Sequence, residues 1–271
     1  MHEMTRLLLV LSAFGSISSN LCFAAEPARK EVLILYGLQS HMPVVQDWDR
    51  GIRQTIEENV SGPVRIETEF LDLLRIEDIA YRDQWLALLA SKYQGSAPDV
   101  LITVFDPALN FLLESRDKLF PTVPVVFCSA HFYQRAGVQL PPDVTGVTYG
   151  LSYAETLTLA NQLRPNTRKA IVVAGTSDFG NLMLNEAKDV LAKSDLEVDY
   201  LSGLTVEQTL GKIAGAPADS MVLFLVYVRD PNGRQHYAND VLSRLSSVAP
   251  VPVYSLWDTN VGSGAVGGLS L

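Results

Sequence analysis

Short, continuous apolar runs alternate along the chain with segments in which apolar residues recur every three or four positions. The first pattern is typical of strands buried on both faces of a parallel sheet, and the second is typical of amphipathic helices. In the first half of the chain the apolar runs predict strands at residues 31–36, 64–71, 99–105 and 123–128. The helical spacing predicts helices at residues 47–58, 81–93 and 107–116.

The same alternation restarts after residues 137–146, a stretch that contains Pro141 and Pro142. There the pattern predicts helices at 155–163, 182–192, 206–213 and 235–246, and strands at 169–174, 197–201, 220–226 and 251–255. Strands that alternate with helices of this length imply right-handed crossovers and parallel sheets. The sequence therefore predicts an α/β fold of two doubly wound parallel-sheet lobes, with a hinge and an interlobe cleft.

The N-terminal segment has the organisation of a secretory signal peptide. Arg6 precedes an apolar stretch at residues 7–17, and small residues follow at Cys22, Ala24 and Ala25. The pattern predicts cleavage after Ala24 and export, with the periplasm as the destination. A lipoprotein signal at Cys22 is the weaker alternative. The remaining sequence has no apolar run long enough for a membrane span.

Composition narrows the possible functions. The chain has 271 residues, of which 48% are hydrophobic and 19% are charged, so it has ample material for a core. Its formal net charge of −9 repels phosphate backbones, and we therefore expect no nucleic-acid partner. Loss of the signal peptide would leave Cys128 as a single thiol, in an apolar run that favours a buried structural role.

Candidate ligand-binding residues follow from the predicted strands, because ligands of open α/β sheets bind beyond the carboxyl ends of the strands. In the first half these residues are Tyr36, Gly37, Gln39, Phe105, Asp106, Ser129, Ala130 and His131. In the second half they are Thr176, Ser177, Asp178, Tyr227, Arg229, Trp257 and Asp258. A cleft explains why aromatic, hydroxyl and carboxylate groups occur together, although exposure of strand ends to water explains roughly half of them by itself.

These residue types suggest distinct roles toward a ligand held between the lobes. Ser129 and the neighbouring backbone N–H groups would bind an anionic or carbonyl end of the ligand. Arg229 would pair with Asp230 or with a ligand carboxylate. The apolar walls would be formed by Tyr36, Phe105, Tyr227 and Trp257, although a core position explains Trp257 equally well.

Catalytic and metal motifs are weak in this sequence. A hydrolase elbow around Ser177 fails because Phe179 occupies the position of its last glycine. A hydrolase that uses Ser177 with His131 is the second alternative, from a different functional class. The histidines lack metal-ligand spacing, and the glycines of residues 262–267 have no helix after them to form a dinucleotide site. We therefore predict no enzyme activity, no catalytic residues, no metal and no cofactor.

Several segments resemble the ABC-transporter substrate-binding-protein family of periplasmic type I binding folds. The resemblance rests on residues 32–36, on 81–93, on Pro98 to Ile102, on Arg-Asp-Lys-Leu-Phe-Pro at 116–121, on Val-Pro-Val-Val-Phe-Cys at 123–128, on 145–147 and on 155–157. It extends from about residue 30 to the end. The 116–128 region looks closest to members that serve as extracytoplasmic sensor domains of histidine kinases.

The resemblance implies capture of a small molecule by lobe closure, without chemistry. The implied ligand is an amino acid or a similar small polar or aromatic solute. The implied partner is a membrane permease or a fused signalling module. Asp258 is implied as an acceptor for a ligand amine or hydroxyl, because a carboxylate after the corresponding strand recurs in resembling folds.

The signal pattern, the break at residues 137–146 and the resemblance together predict a domain division. Residues 1–24 are the signal peptide, residues 27–143 with 262–271 form the first lobe, and residues 147–258 form the second. In such folds the chain returns to the first lobe after its last strand in the second. The division leaves no residues for a C-terminal helix of the first lobe.

Overall fold

The computed structural model describes residues 29–131 and 139–269. In this part of the chain the strands are β1 Lys30–Tyr36, β2 Val64–Phe70, β3 Val100–Val104, β4 Val125–Ala130, β5 Val144–Thr148, β6 Lys169–Ala174, β7 Glu197–Leu201, β8 Ser220–Val226 and β9 Val253–Ser255. The helices are α1 Pro43–Asn59, α2 Ile79–Lys92, α3 Asp106–Leu119, α4 Tyr153–Leu163, α5 Asp178–Leu191, α6 Val206–Ala214 and α7 Ala238–Val248. Each predicted strand and helix is present, with bounds that differ by up to about four residues. The predicted signal peptide lies outside the described residues.

The strands form two parallel sheets. The first has the order β2-β1-β3-β4-β5, and the second has the order β7-β6-β8-β9. We call residues 29–131 and 139–148 lobe one, and residues 153–269 lobe two. The predicted fold class, two parallel α/β lobes, is confirmed.

Burial on both faces explains why the strands were recognisable. Every residue of β8 is buried, as expected for a parallel strand covered by helices on both sides. Local signals fix the helix ends: Thr205 and Gln208 form a reciprocal capping box at the start of α6. The Ser177 hydroxyl accepts the Gly180 N–H at the start of α5.

The predicted boundary between the lobes was wrong by one strand. The segment Val144–Thr148 is β5, which pairs in parallel with β4 from Val125↔Val144 onward. Lobe one therefore continues to Thr148. The strand was missed because it has no continuous apolar run. It lies at the edge of the sheet, where only Val144 is buried, so its other positions need not be apolar.

The assignment of residues 262–271 to lobe one was also wrong for the part that the structure describes. Gly267 lies beside β9 in lobe two, where its carbonyl accepts the Ser255 N–H at 3.0 Å. The Val266 N–H bonds to the Val253 carbonyl at 2.8 Å. The open edge of β9 offers these hydrogen bonds within a few residues of the chain, so the segment pairs locally.

The two lobes are in direct contact in this structure. An apolar cluster extends from Ile34 and Val104 of lobe one to Leu223 and Leu256 of lobe two. Across the interface the rings of Phe105 and Phe179 have centroids 4.9 Å apart. The chain crosses between the lobes through residues 149–152.

Candidate functional site

Strained backbone is concentrated where the strands of lobe one end. Asp72, Phe105 and Ser129 have φ values of 51°, 78° and 56°, in the left-handed region that side chains disfavour. Asp72 follows β2, Phe105 follows β3 and Ser129 lies near the end of β4. Such strain persists only where the surrounding structure holds it, and it is often found at binding sites. This edge of the sheet faces lobe two.

A cavity of about 320 Å³ lies between the lobes at this edge. Its lobe-one side is formed by residues 38–48, by the loop after β2 and by Phe105. Its lobe-two side is formed by the end of β8, by the start of α7 and by Trp257, Thr259 and Asn260. The volume is in the range of small-molecule sites. Both lobes therefore contribute to one cavity at the carboxyl ends of their strands.

Aromatic side chains form much of the cavity wall. Trp48 and Phe105 lie on the lobe-one side, and Phe179, Tyr237 and Trp257 lie on the lobe-two side. The ring centroids of Trp48 and Phe105 are 6.1 Å apart. Flat apolar surfaces of this kind favour a ligand with a ring or a bulky apolar group.

Polar groups that are free to meet a ligand are also present. Within the described residues, the indole N–H groups of Trp48 and Trp257, the Asn239 amide and the Thr259 hydroxyl make no side-chain hydrogen bonds, and all four residues line the cavity. The Asn260 amide instead donates to the Ser255 hydroxyl at 2.7 Å. The cavity thus combines apolar walls with a few hydrogen-bonding groups, which can orient a small polar molecule.

Asp72 and Arg75, two charged residues of the cavity wall, are paired with each other. The Asp72 carboxylate accepts hydrogen bonds from Gln39 Nε2 and Arg75 Nε, both at 2.9 Å. A second contact joins Arg75 Nη2 to the same carboxylate oxygen. The Asp72 carboxylate therefore fixes the positions of the Gln39 and Arg75 side chains.

Three of the predicted ligand-binding residues line the cavity: Gln39, Phe105 and Trp257. Trp257 is half-buried rather than part of the fully buried core. The strand-end rule found these three because they follow β1, β3 and β9, whose ends open into the cavity.

Tyr36, Gly37 and Tyr227 have structural positions instead. Tyr36 is buried, stacks on Phe70 and donates from its hydroxyl to Asp49 at 2.9 Å. Tyr227 is buried and donates to the Leu204 carbonyl, and burial raises its pKa to about 12. Gly37 lies so close to α3 that an added Cβ would be 3.0 Å from the Ala108 nitrogen.

Asp106, Ser129, Ala130 and His131 lie outside the cavity lining. Ala130 is fully buried, and the Asp106 carboxylate accepts the His131 N–H at 3.0 and 3.1 Å. Ser129 is half-buried beside Cys128, whose thiol pKa is raised by burial. Of these four residues, His131 reaches lobe two, through its contact with Glu186.

His131 joins the lobes through its ring. Its Nδ1 is 2.7 Å from the Tyr149 carbonyl, and its Nε2 is 2.7 Å from Glu186 Oε2 in α5. Burial lowers the pKa of His131, but the hydrogen bond and charge of Glu186, together with the Tyr149 carbonyl and the Asp106 charge, raise it overall. The imidazole is thus stabilised in its charged form.

Thr176, Ser177, Asp178 and Arg229 gather at the interface beside α5. The Thr176 carbonyl accepts from Arg229 Nη2 at 2.9 Å, and Ser177 caps the helix. Because the Ser177 hydroxyl serves as a cap and both ring nitrogens of His131 are engaged, the two do not form a nucleophile–base pair.

Asp258, implied above as a ligand acceptor, lies outside the cavity lining. It is exposed, and its carboxylate accepts the Thr259 N–H at 2.7 Å. The neighbouring residues Trp257 and Thr259 face the cavity. The short 3₁₀ helix Asp258–Ser263 turns the Asp258 side chain toward solvent.

The sequence reasoning missed three larger parts of the site. They are the start of α1 with Trp48, the loop after β2 with Asp72 and Arg75, and residues 236–240 at the start of α7. Applying the strand-end rule to the second predicted strand would have selected Asp72. The contribution of Tyr237 had no such signal, because it depends on how the lobes meet.

None of the helices in the described part of the chain combines the length and apolar character that a membrane span requires. Within the same residues, no group of three or more His, Cys, Asp or Glu side chains is arranged to hold a metal ion.

No protein-family model and no curated protein matches the sequence. Solved structures similar to the chain include the ABC domain in complex with L-Trp from Streptococcus pneumonia, with a TM-score of 0.64 and 15% identity, over 88% of this chain and 77% of that chain. A ligand-free, open substrate binding protein with adhesive properties from Clostridium difficile has a TM-score of 0.60 and 16% identity, over 87% and 77%. A leucine binding protein from Thermotoga maritima has a TM-score of 0.57 and 13% identity, over 88% and 67%.

These similarities show that the chain has the type I periplasmic-binding-protein fold. The similar structures are binding proteins and receptors rather than enzymes.

Proposed function

We propose that this chain is an extracytoplasmic receptor that binds a small molecule between its lobes without chemical conversion. The observation that carries the proposal is the interlobe cavity, to which both lobes contribute at the carboxyl ends of their strands. Such a site is reached when the lobes separate and is enclosed when they meet. Ligand binding then favours the closed arrangement because the ligand contacts both lobes.

The proposed ligand is an amino acid or a similar small solute with an aromatic or apolar group. Trp48, Phe105 and Trp257 supply flat apolar surfaces, and the Asn239 amide supplies hydrogen-bonding capacity. The similar structures with L-Trp bound and with leucine-binding function support this class of ligand.

We propose that the receptor delivers its ligand to the membrane permease of an ABC importer. The signal-peptide pattern at residues 1–24 supports an extracytoplasmic location. A ligand-sensing input domain of a membrane signalling protein is the alternative, supported by the resemblance at residues 116–128. A permease and ATPase encoded beside this chain would favour transport, whereas a fused kinase module would favour sensing.

The proposal is tested by ligand screening followed by two matched substitutions. Ligand-stripped protein is screened by thermal shift against amino acids and related aromatic solutes, because a ligand of the folded state raises the melting temperature. Affinities are then measured by titration calorimetry. Trp257→Ala removes a cavity wall and should weaken binding at least about tenfold, from the loss of roughly 1.5 kcal/mol of aromatic contact.

Asp258→Ala is the control, because it changes the adjacent residue on the exposed side. We expect its affinity to stay within about twofold of the unaltered chain, since an exposed carboxylate contributes little. Unchanged binding in Trp257→Ala, or an equal loss in both variants, would contradict binding in this cavity.

A further inference from the structure

Polar contacts between the lobes converge on one short loop of lobe one. Arg75 Nη1 donates to Gln235 Oε1 at 2.8 Å, and the Arg75 guanidinium lies 5.5 Å from the centre of the Tyr237 ring. Two residues later, Glu77 Oε2 is 2.7 Å from Arg229 Nη1. Gln235, Tyr237 and Arg229 all belong to lobe two.

Glu77 makes a further contact with lobe two. Its Oε1 accepts the Asp178 N–H at 2.7 Å, at the first residue of α5. A carboxylate in this position is stabilised by the unpaired N–H groups and the dipole of the helix. One side chain of lobe one is therefore bound to two separate elements of lobe two.

The loop is held in place by lobe one itself. The Asp72 carboxylate binds Gln39 and Arg75, and the Ile76 N–H donates to the Asp72 carbonyl at 3.0 Å. The Leu74 N–H donates to the Gly37 carbonyl at 3.1 Å. Arg75 is consequently oriented toward lobe two before the lobes meet, which reduces the entropy lost on contact.

The part of lobe two that Arg75 and Glu77 contact is also held in place by hydrogen bonds of its own. Residues 229–236 form a tight loop in which the Asp230 carboxylate accepts the N–H groups of Asn232 and Arg234 at 2.9 and 3.0 Å. A backbone bridge joins Arg229 to Gln235, so the two contact residues are held together. The contacts can therefore form and break as the lobes move as rigid bodies.

We propose that residues 72–77 form a polar clasp that holds the lobes together over the cavity, with Arg75 and Glu77 as its two arms. The Arg75 arm also lines the cavity, so the clasp and a bound ligand favour the same closed arrangement. The assignment rests on the proposed function only for this coupling to a ligand. The clasp differs from the His131–Glu186 contact, which lies beside the crossover through Tyr149.

The exposure of the clasp indicates a reversible device. The side chains of Arg75 and Arg229 are 25% and 30% exposed, and that of Glu77 is 11% exposed. Partly exposed ion pairs are weak and are screened by salt. The clasp therefore biases closure without preventing entry of a ligand.

The test uses small-angle X-ray scattering of the ligand-stripped protein at low and high salt. The double variant Arg75→Ala, Glu77→Gln should have a larger radius of gyration at low salt than the unaltered chain. Added salt weakens the Glu77–Arg229 ion pair but not the contact of Arg75 with the neutral Gln235. It should therefore expand the unaltered chain part of the way toward the same value and leave the variant unchanged. The control double variant Arg244→Ala, Glu207→Gln removes an exposed ion pair within lobe two, and should scatter like the unaltered chain.

Arg229→Gln breaks the same clasp from lobe two and should expand the chain as well, which keeps the test decisive if the first variant folds poorly. Equal radii for the unaltered chain and both clasp variants at every salt concentration would overturn the proposal. Scattering needs no ligand, so its outcome is independent of the proposed function. If the scattering supports the clasp but the ligand screen finds no ligand, only the proposed receptor role is contradicted.

Discussion

The contact between His131 and Glu186 leads to a prediction about pH-dependent stability. The side chains are 6% and 5% exposed, and their nitrogen and oxygen are 2.7 Å apart. His131→Gln removes the cation that Glu186 contacts. Because loss of one partner of a buried pair costs about 3–5 kcal/mol, we expect a decrease of that size in the free energy of unfolding near pH 6.

The sign of the pH dependence follows from the raised pKa of His131 in the folded chain. Its protonated form is favoured by folding, so the stabilisation is fully present below the unfolded-state value of about 6.5. The stabilisation is lost as the pH rises through the higher folded-state pKa. The difference between the unaltered chain and His131→Gln should therefore shrink toward alkaline pH.

The measurement is urea unfolding followed by tryptophan fluorescence across pH 5.5 to 9. Glu207→Gln is the control, because its ion pair with Arg244 is exposed and should change stability by less than about 0.5 kcal/mol at any pH. A loss in His131→Gln that is the same at every pH would show that the side chain acts by packing alone. No loss at all would refute the interlobe ion pair.

Two further predictions concern β5 and export. Gly146→Ala should destabilise the chain by about 1–3 kcal/mol or more in urea unfolding, because its Cβ would lie 2.1 Å from the Phe127 carbonyl oxygen. Gly51→Ala, in open space within α1, should instead stabilise the chain by about 0.5–1 kcal/mol. Equal effects of the two substitutions would contradict the placement of β5 against β4. N-terminal sequencing of periplasmic protein should begin at Ala25, and an intact Met1 would contradict cleavage of the signal peptide.

The sequence by itself determined the fold class and the approximate place of the cavity. Parallel strands buried on both faces require continuous apolar runs, and the last six residues of β8, Met221 to Val226, form such a run. The carboxyl ends of these strands then meet at one edge of each sheet. This rule was sufficient to select Gln39, Phe105 and Trp257.

The tertiary structure decided which strand-end side chains face the cavity. Tyr36 is the last residue of β1 and Gln39 follows three positions later, yet Tyr36 packs into the core and Gln39 lines the cavity. Trp257 and Asp258 are adjacent, and a 3₁₀ turn directs only the first inward. Sequence position fixes the strand end, but the direction of each side chain depends on the local backbone turn.

Contacts between the lobes were also beyond the reach of the sequence. Arg75 and Gln235 are 160 residues apart, and nothing in either segment marks the other as its partner. The edge strand β5 lacked an apolar run because a strand at a sheet edge is covered on fewer sides. Local patterns record which side chains are buried, whereas the docking of two lobes is set by surfaces that only the folded chain brings together.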